Sequence, residues 1–77
     1  MTLREYTIVL LPEPEEGGYS VLVPALPGCV TQGDTVEEAI AMAEDAIAGW
    51  IAVAEKNGEP IPEEAEPART MSVRVAA

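Results

Sequence analysis

This 77-residue chain has no histidine and a single cysteine, Cys29, so most familiar catalytic constellations have no members here. A serine or cysteine nucleophile needs a positioned base, and the usual zinc site needs imidazoles or several thiolates. Cys29 has neither a base nor a second thiol, and reads as a small buried filler. Paired carboxylates occur at Glu15-Glu16, Glu37-Glu38 and Glu63-Glu64, but each pair falls in a loop or a first helical turn. Solvation and capping account for acids at such places. Glu5 and Asp34 are the residue types a metal-dependent nuclease would use, yet no triad of acids converges with them. Gly17-Gly18 precedes a strand pattern rather than a helix, which argues against a phosphate cradle. The expectation is a chain without enzyme activity, cofactor or metal.

What is left is binding, and the charge balance says of what sign. Fourteen acids against four bases give a net charge of −10, which repels phosphate backbones and anionic lipid. Direct binding to nucleic acid or membrane is therefore not expected of this chain; a basic protein partner is. No apolar run approaches the ~20 residues of a membrane span and no signal peptide opens the chain, so the expected location is the cytoplasm. An unpaired cysteine fits that reducing compartment. Seventy-seven residues make one domain, 1–77, and a chain this short buries only about 60% of its unfolded surface. Oligomerisation is the expected way to cover more.

One long helix organises the rest. From Val36 apolar residues return at 39, 40, 43, 46, 47, 50, 51 and 54, a stripe wide enough to lie on a sheet. Thr35 with Glu38 three residues later reads as a capping box; Asn57-Gly58, followed by Pro60, reads as the stop. Trp50 falls on the stripe and is expected in the core. The outer face carries Ala41, Asp45, Ala48, Gly49 and Ala52, small enough for a partner or for mere tolerance of alanine.

The sheet comes from four stretches. Residues 3–11 read as a strand with Tyr6, Ile8 and Leu10 on one face and Thr7, Val9 and Leu11 on the other. The loop 12–18 turns the chain into a second strand, Tyr19 to Pro24, whose Tyr19, Val21 and Val23 share a face. Leu26-Pro27-Gly28 fits a type II turn, and a short third strand, about Cys29 to Gln32, leads to the helix cap. After a proline- and glutamate-rich connector, residues 69–76 alternate: Met71, Val73 and Val75 inward, Thr70, Ser72 and Arg74 outward. The expected fold is α+β, an antiparallel three-stranded meander, one long helix across its face, and a final strand at an edge.

The run from Gly17 to Ile47 resembles the signature of HicB-type antitoxins. Its matching residues are Gly17, Gly18 and Tyr19 at a strand start, Pro24, and the turn Leu26, Pro27, Gly28, Cys29. The cap Gly33, Asp34, Thr35 follows, with Glu38 and Ala39 opening the helix. Gly58 with Pro60-Ile61-Pro62 is similar to the family's helix exit. The resemblance implies a partial ribonuclease-H-like fold and a partner of the HicA type, a small basic toxin that cleaves messenger RNA and whose site the antitoxin blocks. Many members continue into a DNA-binding segment; here Ala77 follows the last strand, so no such segment is expected. Ala25 and Met42 stand where the family often has an aspartate and a polar residue. The alternative reading is a stand-alone oligomeric interaction or regulatory module without a toxin.

Self-association is a further expectation. The last strand has no proline and only Arg69 and Arg74 as edge charges, so few of the devices that block edge pairing are present. Pairing through Thr70, Ser72 and Arg74 would make a symmetric dimer, with a tetramer as the next closed assembly.

Overall fold

The computed structural model describes residues 3–77. Three strands form one antiparallel sheet in the order β1-β2-β3: β1 Val9–Pro12, β2 Tyr19–Leu22 and β3 Val30–Gly33, followed by the helix α1 Val36–Lys56. This is the expected α+β meander with one helix on its face. The register pairs Val9 with Leu22 and Leu22 with Val30, and at the other end Pro12 with Tyr19 and Tyr19 with Gly33.

Side-chain alternation puts Val21 at the centre of the covered face, fully buried against Ala39 and Ala43 of α1, with Ile8, Leu10 and Tyr19 packed around them. A second cluster joins Val23, Leu26 and Cys29, flanked by Tyr6, Ile8, Ala46, Ile47 and Trp50. Alanine at 39 and 43 brings the helix backbone close to the strands. Bulk is supplied from the sheet instead.

Two strand lengths differ from expectation. Residues 3–8 run on from β1 without ladder pairing, because β2 stops at Leu22. Beyond it the chain turns through 23–29, where the Val23 amide donates to the Cys29 carbonyl (3.1 Å) and Pro24 has no amide to offer. With no partner strand left, the arm is held by side chains: the Tyr6 hydroxyl donates to the Pro62 carbonyl at 2.6 Å. The Thr7 amide and hydroxyl donate to the two Glu64 oxygens, at 2.8 and 2.6 Å.

The last strand is the larger correction. Residues 69–76 are outside the sheet, and Met71, Val73 and Val75 are 81%, 85% and 75% exposed. Alternation marks a segment able to be half-buried, but among the described residues of one chain no surface covers it.

Candidate functional site

The motif residues meet where the helix enters the sheet. Gly18 has a left-handed backbone (φ 75°), and a Cβ there would stand 2.6 Å from the Gly33 carbonyl oxygen. At Gly33 a Cβ would stand 2.5 Å from the Ala39 amide nitrogen, so only glycine lets β3 and the first helical turn touch backbone to backbone. Thr35 caps the helix, its hydroxyl oxygen accepting from the Glu38 amide at 3.0 Å. The return bond of the box is displaced by one residue: the Glu38 carboxylate accepts from the Asp34 amide at 3.1 Å.

The turn residues form the other end of the same framework. The Cys29 amide donates to the Leu26 carbonyl at 3.0 Å and Gly28 takes φ 76°, the geometry read as type II. Leu26 is buried, and the Trp50 indole donates to the Pro27 carbonyl at 2.9 Å, tying the helix to the turn. Trp50 is half-buried with a satisfied nitrogen, as a core residue at a rim should be. Burial pushes the Cys29 thiol up from its ordinary value, which disfavours the reactive thiolate. Gly17, at φ 81°, serves the β1–β2 loop, and exposed Pro24 edges a hollow shared with 63–68. The signature residues thus build the helix-to-sheet junction.

Acids gather beside that junction. Glu13, Glu16 and Asp34 line one shallow hollow with Tyr19 and Ser20, and the Ser20 hydroxyl donates to Glu13 at 2.6 Å. Glu37 and Glu38 follow in the first helical turn. Glu5 lines a different groove, so the two candidate nuclease acids are not brought together. Among the described residues no three metal-ligating side chains cluster, and no helix is long and apolar enough to cross a membrane.

Three apolar surfaces stand open among the described residues. Leu11, Leu22 and Val30 are exposed on the sheet face away from α1, with half-buried Val9 in the same cross-strand row. A hollow between α1 and the Gly28–Val30 turn is lined by Gly49, Trp50 and Val53, which gives the small outer residue Gly49 open space. The third is a groove between the arm 3–8 and α1. Its only signal in the sequence is indirect: Ile40 and Ile51 sit on the helix stripe but beyond the sheet. Thr70, Ser72 and Arg74 lie on the exposed tail. All three surfaces are uncovered among the described residues.

Comparison with known proteins places the chain in a family. The family described as HicB-like antitoxin of bacterial toxin–antitoxin systems matches residues 6–74. A UPF0150 protein of Synechocystis is 39% identical over 95% of this chain and 91% of its own length. Another, from Thermoplasma acidophilum, is 45% identical over 75% of this chain and 83% of its own. Antitoxin HicB 1 of Photorhabdus laumondii is 55% identical over 54% of this chain, but that is 26% of the relative's length. With the match running from the arm into the tail, the chain belongs to the HicB-like antitoxin family.

Proposed function

We propose that this chain acts as an antitoxin that binds a small basic toxin of the HicA type and covers its messenger-RNA-cleaving site. The observation that carries the reading is the family match over residues 6–74. Charge supports it: at −10 the chain attracts a basic protein over a long range and disfavours acidic competitors. The acids around Asp34 and the helix start give that attraction a direction, and the Val9–Leu22–Val30 row offers apolar area for a contact. In this reading the protein is a cytoplasmic, non-enzymatic inhibitor on a partial ribonuclease-H-like frame.

The test is co-expression with any small basic protein encoded in the adjacent reading frames. Capture of such a protein, with RNA cleavage suppressed at one-to-one stoichiometry, is the expected result. If no such protein is encoded there and none is captured, the antitoxin reading fails.

A second reading, a stand-alone regulatory module with no toxin, has one observation in its favour. The relatives matched over most of their own length are named only as UPF0150 proteins, whereas a HicB antitoxin is matched over about a quarter of its own. A stable homo-oligomer together with an empty genomic neighbourhood would select it.

A further inference from the structure

The helix stripe is wider than the sheet beneath it. α1 lies over β3 and β2, and on its β1 side an open groove of about 670 Å³ separates it from the arm 3–8. Ile40, Ile47 and Ile51 form the helical wall, and Tyr6 and Ile8 face them. Three acids, Glu5, Glu44 and Glu55, stand around it with one base, Arg4. Elsewhere in the same chain, the tail 69–76 carries an exposed apolar row.

We propose that the tail of one copy lies in this groove of a second copy, and reciprocally, so that two chains exchange their last strands in a two-fold dimer. The dimensions agree. From Ile40 to Glu55 the groove runs about 22 Å along the helix, and eight extended residues span about 23 Å. Alternation agrees as well: Met71, Val73 and Val75 would face the isoleucines while Thr70, Ser72 and Arg74 face water. So does charge, since the tail holds two of the chain's four bases and no acid, opposite a groove with three acids and one base.

The chain's own tail is kept elsewhere. Bonds from Tyr6 to Pro62 and from Thr7 to Glu64 tie the connector to the arm, and residues 63–68 then follow Pro24 and Ala25. The described residues that line the groove include none from the tail. Among the described residues each copy therefore offers an unfilled groove and an uncovered tail, and a two-fold axis satisfies both and closes the assembly. This pairing is independent of whether the protein is an antitoxin.

Disulfide trapping of the full chain in a Cys29→Ala background tests it. Val73 is mid-tail and Ala48, exposed and lining the groove, is mid-groove; the two meet whichever way the tail runs. Mixing a Val73→Cys chain with an Ala48→Cys chain under mild oxidant is expected to give the mixed disulfide dimer as the main product. Cross-linking of Val73→Cys alone with equal yield would mean tail pairs with tail, and would overturn the proposal. So would a doubly substituted chain that closes on itself as a monomer.

In parallel, Val73→Glu should raise the dimer dissociation constant at least a hundredfold while helical circular dichroism and Trp50 emission stay unchanged. Wild-type chain that sediments as a monomer at high micromolar concentration overturns the idea, including the case where only a captured toxin fills the groove. A Val73→Glu chain that dimerises like wild type does the same.

Discussion

Two glycines in this chain have opposite requirements, and substitution separates them. At Gly33 a methyl group would collide with the backbone of Ala39, which cannot yield without lifting the helix start off β3. Gly33→Ala should lower stability by about 1–3 kcal/mol, the usual range for overpacking. Gly49 is in mid-helix, and a methyl group added there would meet nothing within 4 Å, so Gly49→Ala should stabilise by about 0.5–1 kcal/mol. Urea midpoints of the two variants moving the same way would contradict this junction. Thr35→Ala removes the acceptor of the Glu38 amide and should cost about 1 kcal/mol in the same measurement. Cys29 adds a pH signature. Its thiol is pushed above the ordinary 9.0 by burial, so above that value the unfolded chain has lost a proton the folded chain keeps. Its contribution is complete below pH 9 and declines as pH rises. Denaturation across roughly pH 7–10 should show a gentler alkaline loss in Cys29→Ala than in wild type.

At the scale of elements, the helix was the most legible part of the sequence, because a 3.6-residue period and cap chemistry are local signals. Thr35, Asn57 and Gly58 hold their expected places at its ends. The strand faces were legible too, with Val21 and Val23 inward. Strand lengths were not, since a strand ends where its neighbour does: Leu3 to Ile8 look like sheet, but β2 has already stopped before Pro24. Glu64 shows the same limit for a side chain. In the sequence it belongs to a solvated acidic connector, whereas in the fold it holds both the amide and the hydroxyl of Thr7. That pair replaces a missing ladder bond for the arm. Glu64→Ala should therefore destabilise by roughly 1–2 kcal/mol, the low side of the range for hydrogen bonds to a charged group because the site is partly exposed. Hydrogen exchange should place the loss at the arm, with the Thr7 amide exchanging faster and the α1 amides little changed. The groove escaped a reading of single elements because it is a difference between two of them, the width of the helix stripe and the width of the sheet.

For the whole molecule, the two proposed associations rest on different physics and should respond differently to salt. In the proposed antitoxin role, a basic toxin approaching a chain of charge −10 would be steered by a field that reaches about 10 Å at 0.1 M salt and about 3 Å at 1 M. Its association rate should fall at least tenfold between those conditions, with a much smaller change in dissociation rate once the partners have met. Two copies of the chain, by contrast, repel each other through their like-charged bodies, and the proposed strand-exchanged dimer would be held by Met71, Val73 and Val75 leaving water. Screening weakens the tail–groove ion pairs but also relieves the body-to-body repulsion, so the dimer should tolerate the same rise in salt or tighten with it. Rates from surface plasmon resonance with the captured toxin, set beside sedimentation of the chain alone, compare the two directly. A homodimer that dissociates in step with the falling toxin on-rate would mean that charge, not apolar burial, holds the copies together.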